Sequence, residues 1–251
     1  MWIIKTGNRV WWAVMAAIAG FTWLGYILLA PLPYEQVRII LLCFSVLVFA
    51  LYFVQRAFMF RDPEFLEAYG SDWKDRLVQL MPLHLCYISL IMAIVGLLLE
   101  LPSLLSFCFY ISFFGAMMAL LSPEGYYQNK SVLEPPVLFF YLLHGMILAL
   151  YGNIRFLGLG PMAWKYSTIS VLILISLTVG IHFVNLLGRA MGLESINYIY
   201  TLDPSGSSLL MLLWKWIPVP LLYLVIPVGL TWLWGMLITG VYQLMIFFSL
   251  L

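Results

Sequence analysis

Residues 80–99 read LMPLHLCYISLIMAIVGLLL, a run without a single charged side chain. A helix of that length, rising about 1.5 Å per residue, spans the hydrocarbon core of a bilayer. Two ionisable groups, His84 and Cys86, lie near its start. Because ionisable groups within a spanning segment are costly and often functional, this run predicts both a membrane-spanning helix and a candidate site.

The composition of the whole chain agrees with that run. Of its 251 residues, 64% are hydrophobic and 9% are charged, and the mean hydropathy is +1.02. A soluble fold needs far more charge on its surface, so the class is a polytopic membrane protein. The net charge of +1 gives no reason to expect a nucleic-acid partner.

The cysteines do not predict a disulfide framework, because there are three of them and all lie in apolar runs. Cys43 and Cys108 are most simply interpreted as small packing residues. Cys86 is therefore the thiol on which a functional reading depends.

The apolar runs predict an all-α fold, since lipid offers no partners to free backbone groups and the runs lack the alternation of a membrane β-barrel. We predict a single transmembrane domain over residues 1–251, built as a seven-transmembrane-helix bundle. The predicted spans lie near 10–30, 37–56, 80–99, 103–121, 136–152, 166–187 and 217–240. All lysines and arginines except Arg38, Arg155 and Lys165 fall on one side of these spans. That bias predicts a cytoplasmic N-terminus and a C-terminus outside.

The segment 57–79 holds most of the charge and also carries a periodic apolar pattern. The positions that recur at every fourth residue are Phe65, Tyr69, Trp73 and Leu77. This spacing predicts a helix lying on the cytoplasmic surface, with a break at Gly70-Ser71. Such a segment suits either a lid for lipid access or a simple connector.

Strongly polar groups are few inside the spans, and all fall in the predicted cytoplasmic half of the bilayer. They are His84 and Cys86 on the third span, His144 on the fifth, and His182 and Asn185 on the sixth. Three helices with polar groups at one level suggest a shared cavity. Residues two apart lie about 200° apart around a helix, so His84 and Cys86 do not share a face and His144 is the better candidate base. A packing cysteine and hydrogen-bonded interhelical histidines are the simpler alternatives.

Short motifs occur in a fixed order over roughly residues 76–240. They are Pro82-Leu83-His84-Leu85-Cys86, Leu120-Leu121-Ser122-Pro123-Glu124, Phe139-Phe140-Tyr141-Leu142-Leu143-His144-Gly145, Val184-Asn185-Leu186-Leu187-Gly188, Asn197-Tyr198-Ile199-Tyr200 and Pro204-Ser205-Gly206-Ser207-Ser208-Leu209. In these motifs the chain resembles the YwaF-type integral membrane proteins, which include the animal transmembrane protein 164. The resemblance implies a seven-helix fold and, for the animal member, acyl transfer into ether-linked phospholipids. It also implies Cys86 as the nucleophile and His144 as its partner.

The first hypothesis is therefore a membrane-embedded lipid acyltransferase or transacylase. His144 would deprotonate Cys86, the acyl group would rest as a thioester, and membrane lipids would be the substrates. The supporting polar residues are His84, His182, Asn185, Asn197 and Tyr198. They would orient the headgroup, stabilise the oxyanion, or form a structural network. No cofactor is implied, because no phosphate-binding glycine motif occurs.

Two other hypotheses stay open. A zinc-dependent intramembrane lipid hydrolase would use His84, His144 and His182 as ligands, although the spans hold no carboxylate and no histidine pair at i, i+4. A carrier, a small-molecule binder or a subunit of a membrane complex, with an unknown partner, would not be an enzyme. In every case we expect an integral membrane protein, placed in the bacterial plasma membrane.

Overall fold

The computed structural model describes residues 2–70, 72–204 and 208–249, and these are mostly helical. The α-helices are α1 (Arg9–Leu29), α2 (Tyr34–Met59), α3 (Pro63–Tyr69), α4 (Trp73–Leu80), α5 (Leu85–Leu98), α6 (Pro102–Phe107), α7 (Phe114–Leu121), α8 (Pro135–Phe156), α9 (Trp164–Ala190), α10 (Ser208–Trp214) and α11 (Val225–Ser249). A π-helical segment, Cys108–Phe113, joins α6 to α7. Short 3-10 turns cover Gly125–Tyr127, Tyr198–Tyr200 and Leu222–Leu224. Strands β1 (Ile3–Ile4) and β2 (Lys130–Ser131) pair antiparallel, with Ile3 opposite Ser131.

The predicted class, an all-α polytopic bundle, is confirmed. In the described part of the chain, 6 helical stretches are long and apolar enough to cross a membrane. They are α1, α2, the continuous run from α6 to α7, α8, α9, and α11 with the short turn before it. Helices α4 and α5, bent by 47° at their junction, make a seventh crossing if they are counted as one span. The chain is therefore an integral membrane protein with several apolar helices.

The third and seventh predicted spans begin later in the structure than the hydropathy pattern suggested. Helix α5 starts at Leu85, with His84 as its N-cap residue in an extended conformation. The seventh predicted span, 217–240, is replaced by α11, which starts only at Val225. Pro218 and Pro220 explain that delay, because proline lacks the N–H that a helix interior needs.

The segment 57–79 is two helices, α3 and α4, in place of one amphipathic helix. The break falls at Gly70, whose φ of 93° is a conformation that favours glycine. Phe65 is buried whereas Trp73 is exposed, so the predicted stripe does not form a single face. The side chain of Tyr69 and the whole of Ser71 lie outside the described residues.

Helix α8 is the most buried of the candidate spans and forms the centre of the bundle. It packs most closely against α1 and α2, and it also contacts α5, α6 and α7. At Gly145 an added Cβ would lie 2.8 Å from Ile18 Cγ1, so a small residue is needed for α1 to approach this closely. The central position of α8 places its polar side chains inside the protein and away from lipid.

The helices alternate in direction, as expected for successive spans. Tyr52 of α2 meets Tyr87 of α5 with ring centroids 4.1 Å apart, and Arg38 Nη1 donates to the Leu97 carbonyl over 3.0 Å at the other end of the pair. We call the end where α2 ends and α5 and α8 begin the histidine end. Helix α1 begins at this end, where the Trp11 indole donates to the Leu120 carbonyl over 2.9 Å. Which end faces the cytoplasm stays a prediction.

Candidate functional site

Cys86 lies in the first turn of α5, nearer the helix start than the sequence suggested. Its side chain is half-buried and packs against the main hydrophobic core. Its carbonyl accepts a hydrogen bond from the Ser89 hydroxyl over 2.8 Å, and that hydroxyl also lies 2.6 Å from the Tyr151 hydroxyl of α8. Among the described residues, no side chain hydrogen-bonds to the Cys86 sulfur. Hydrogen bonds therefore connect the turn that carries the thiol to α8, while the thiol itself has no side-chain hydrogen-bond partner among the described residues.

His144 lies on α8 with only 6% of its surface exposed. Its Nδ1 atom lies 2.8 Å from the Phe140 carbonyl oxygen one turn earlier. A carbonyl oxygen can only accept, so this contact requires a proton on Nδ1. In the neutral ring the lone pair is then on Nε2, and no described residue hydrogen-bonds to Nε2. The ring is held in the tautomer that a general base at Nε2 requires.

Cys86 and His144 lie on helices that pack against each other. No hydrogen bond joins the thiol to the imidazole, and the side chains that connect the two helices near Cys86 are those of Ser89 and Tyr151. Catalytic hydrogen bonds are often long or unformed before substrate binds. The pairing of these two residues therefore stays a prediction.

Two charged residues at the histidine end were not among the predicted site residues. The charges of Arg56 and Glu124 both act on the rings of His84 and His144. The Arg56 guanidinium lies 5.0 Å from the Tyr52 ring centroid and is only 7% exposed. Glu124 Oε1 accepts a hydrogen bond from the Tyr200 hydroxyl over 2.6 Å.

A sequence signal for Arg56 did exist. Tyr52, Arg56 and Met59 follow at helical spacing along α2 and all three are buried. Arg56 is the last residue of the predicted span 37–56, and hydropathy does not show whether a charge at a span end faces water or protein. Glu124 carries no such signal, because it is placed by a contact with Tyr200, which is distant in the sequence.

His84 does not share a helix face with Cys86, because it precedes the helix. Its ring meets the ring of Tyr198 edge to face at 5.6 Å and lies 6.3 Å from the Tyr200 ring. Both tyrosines belong to the loop that follows α9. His84 therefore belongs to the contact between the start of α5 and this loop.

His182, Asn185, Asn197 and Tyr198, all predicted supporting residues, are brought together around that same loop. The Asn185 side chain donates to the Tyr198 carbonyl over 2.9 Å and accepts from the Tyr198 N–H over 3.1 Å. Its amide also donates to Thr201 Oγ1 over 2.8 Å, and the His182 Nδ1 atom lies 3.2 Å from that same oxygen. Asn197 donates to the Asp203 carbonyl over 2.9 Å.

This network holds a strained stretch of backbone in place. Ile199 and Tyr200 have φ values of 54° and 57°, which non-glycine residues rarely adopt. The Tyr198 hydroxyl donates to the Val78 carbonyl over 2.7 Å, which fixes the loop to α4. The bonds of the network satisfy the loop's own backbone, so its direct role is to position Tyr198 and Tyr200 beside His84.

The surface of the histidine end is closed by a cluster of charged residues between α3 and the loop before α8. Asp62 caps α3 by accepting from the Glu64 N–H over 2.9 Å, and it accepts from the Tyr126 hydroxyl over 2.7 Å. Lys130 lies 3.7 Å from the Tyr126 ring centroid and pairs with Glu64 at 2.8 Å. Partial burial acts to raise the pKa of Asp62, but the bond from Tyr126, the two N–H bonds of the cap and the charge of Lys130 together lower it. The carboxylate is thereby kept charged, which both the helix cap and Lys130 require.

The zinc hypothesis is wrong for the residues it named. Over residues 2–70, 72–204 and 208–249, no three His, Cys, Asp or Glu side chains form a group that could hold a metal ion. His84 lies against Tyr198, His144 bonds to its own helix, and His182 bonds to Thr201. Three nitrogen ligands for zinc must converge on one point, and these do not.

Fold and site together define a polytopic helical membrane protein with a buried polar site at one end of the bundle. Among models of protein families, that of the TMEM164 family matches residues 6–238. The chain belongs to the TMEM164 family, which confirms the resemblance to transmembrane protein 164. Searches of curated proteins and of solved structures returned no significant match.

Proposed function

We propose that the protein is a lipid acyltransferase that uses Cys86 as its nucleophile and His144 as its base. The substrates are membrane lipids that carry an acyl ester. The family membership supports this proposal through the motif positions that hold Cys86 and His144. The contacts of the two side chains give it a physical basis.

The observation that carries the proposal is the hydrogen bond from His144 Nδ1 to the Phe140 carbonyl. It fixes the proton on one ring nitrogen and leaves the other free to accept a proton. A histidine that served only to join two helices would be expected to use both nitrogens in contacts with protein. His144 instead bonds within its own helix.

The proposed reaction has two steps, each with the same proton carrier. His144 Nε2 takes the proton of the Cys86 thiol, and the thiolate attacks the carbonyl carbon of the lipid ester. The carbon–oxygen bond breaks, the leaving alkoxide takes the proton back from the imidazolium, and the acyl group remains on sulfur as a thioester. A hydroxyl of the acceptor lipid then gives its proton to Nε2 and attacks the thioester carbonyl. The carbon–sulfur bond breaks, and the thiolate recovers the proton.

Arg56 and Glu124 give this region an uneven electrostatic environment. Both act on the His144 ring, with opposite sign. A negative charge develops on the carbonyl oxygen during each attack, and fixed charges in a region shielded from water act strongly on it. The proposal does not require either residue to touch the reacting atoms.

Covalent labelling tests the proposal directly. Purified protein in nanodiscs, incubated with a phospholipid carrying a labelled acyl chain, is expected to hold hydroxylamine-labile label on Cys86. Cys86→Ala removes the label because no thioester can form. Cys43→Ser, which changes an exposed cysteine of α2, is the matched control and is expected to keep it. Wild-type protein that never acquires label on Cys86, with phospholipids of several headgroups, would contradict the proposal and favour a carrier or binding protein.

A further inference from the structure

A second feature of the histidine end lies outside the proposed nucleophile and base. Arg56, in the last turn of α2, is buried and forms no ion pair within 4.0 Å among the described residues. Its neighbours are the Tyr52 ring at 5.0 Å, the Tyr87 ring at 5.9 Å and the Met59 sulfur at 3.5 Å, and the Tyr52 hydroxyl also interacts with the guanidinium. The Nε atom is buried and has no hydrogen-bond partner.

This pattern is unusual for a guanidinium. Arginine cannot shed its proton, and a buried charge without a partner costs much free energy. Aromatic rings and a thioether compensate only part of that cost. The guanidinium has five N–H donors arranged in a fork, and here one of them reaches protein sulfur while Nε reaches nothing.

The nearby carboxylate is not the missing partner. Glu124 acts on the same histidine rings, but its Oε1 atom accepts from the Tyr200 hydroxyl and it forms no ion pair with Arg56. Gln55, next to Arg56, accepts from the Tyr87 hydroxyl over 3.3 Å. Neither Glu124 nor Gln55 therefore supplies the negative charge that the guanidinium lacks among the described residues.

We propose that Arg56 binds the phosphate of a membrane phospholipid. A phosphate presents oxygens that match the guanidinium fork, and it supplies the negative charge that the buried site lacks. The last turn of a spanning helix lies near the level of lipid headgroups, so a lipid phosphate is the anion that lies at the depth of Arg56.

Arg56 is also placed so that a single lipid molecule could contact both its guanidinium and the Cys86 thiol. The Arg56 guanidinium lies against the ring of Tyr87, the residue that follows Cys86. A glycerophospholipid carries its phosphate only a few bonds from its acyl esters, so Arg56 and Cys86 suit two parts of one molecule. This step rests on the proposed function, and it assigns to Arg56 the positioning of the lipid phosphate relative to the Cys86 thiol.

Binding is measured without turnover, in full-length protein carrying Cys86→Ser in detergent. Phosphatidylglycerol is the test probe, diacylglycerol with the same chains lacks the phosphate, and inorganic phosphate lacks the chains. Phosphatidylglycerol is expected to bind at least about tenfold more tightly than diacylglycerol, because a charge-assisted hydrogen bond is worth that much. Arg56→Gln is expected to abolish this preference. Arg61→Gln, which changes an exposed arginine just after the same helix, keeps it.

Stability without lipid separates the proposal from a structural role. Removing an unpaired buried charge is expected to leave lipid-free Arg56→Gln at least as resistant to heat as its parent. Should Arg56→Gln fail to fold, Arg56→Lys keeps the charge without the fork and is expected to retain part of the preference. A full phosphatidylglycerol preference in Arg56→Gln, or a response to inorganic phosphate alone, would overturn the proposal. Because the tested protein has no Cys86 thiol, its outcome is independent of whether label forms on Cys86 in the wild type.

Discussion

Arg56 and Arg155 are the same residue type in the same local position, yet their surroundings differ. Each lies in the last turn of a long helix, and each guanidinium lies near a tyrosine ring, at 5.0 Å from Tyr52 and at 4.4 Å from Tyr242. Arg56 is buried, whereas Arg155 is half-buried and lines an open cavity of about 770 Å³ at the other end of the bundle. A charge that reaches an open cavity can be hydrated, while a buried charge needs a partner.

The contrast extends to the groups around each arginine. At the end opposite the histidines, Arg38 pairs with the exposed Glu35 at 2.6 Å and approaches Glu100 at 3.6 Å. At the histidine end, the charges of Arg56 and Glu124 both act on the rings of His84 and His144, and Arg56 and His144 are buried. Buried charges that act on titratable side chains are often part of a functional site. The difference between the two ends is therefore the reason to look for chemistry at the histidine end.

The largest effect is expected from His144. His144→Gln keeps a polar side chain of similar size but removes the base, so transfer of the labelled acyl chain should fall by about 10²- to 10⁴-fold. The rate of label transfer, measured in protein that keeps the wild-type melting temperature, checks this. His182→Gln is the matched control and is expected to cost less than about tenfold, since its ring contacts the loop residue Thr201. An unchanged rate in His144→Gln would assign the base elsewhere and remove the functional distinction between the two ends.

An intermediate effect is expected from a pair of buried asparagines, one toward each end. Asn185 uses both its amide nitrogen and its oxygen, whereas Asn153 donates to the carbonyls of Ala149 over 2.8 Å and Thr22 over 3.2 Å but leaves its buried oxygen without a partner. Asn185→Ala should lower the free energy of unfolding by about 2–4 kcal/mol, because buried loop groups lose their partners. Asn153→Ala should cost at least about 1 kcal/mol less.

Reversible unfolding in mixed micelles measures both changes. Equal losses would mean that the hydrogen bonds of Asn185 at the histidine end stabilise the fold no more than those of Asn153 at the opposite end. A loss for Asn185→Ala without any change in acyl transfer rate would limit the network to a structural role.

The sequence predicted the class and most spans because each span is apolar on all sides, a signal that needs no knowledge of neighbours. It also predicted that His144 lies within a span, since its depth follows from the start of α8. It missed the site's charges for a physical reason. The role of Arg56 depends on which face of α2 is covered, and Glu124 is placed by a contact with Tyr200.

The delayed helix starts are a second class of difference. Hydropathy does not distinguish an apolar turn from an apolar helix, so residues 217–224 read as span although two prolines interrupt them. For the same reason the start of α5 at Leu85 was not predicted, and Cys86 lies in the first turn of the helix. Where a helix begins is set by backbone hydrogen bonds, which a hydropathy profile does not contain.

The smallest effect is expected from Arg155. Arg155→Gln removes a contact with the Tyr242 ring, which at a hydrated site is worth about 0.5–1 kcal/mol. The melting temperature should therefore fall only slightly, and both acyl transfer and the preference for phosphatidylglycerol should stay at wild-type levels. Thermal unfolding and the lipid titration used for Arg56 check the two parts. If Arg155→Gln instead abolished the phosphate preference while Arg56→Gln kept it, the lipid phosphate would bind at the open cavity. Burial without a partner would then be the wrong criterion for choosing between the two arginines.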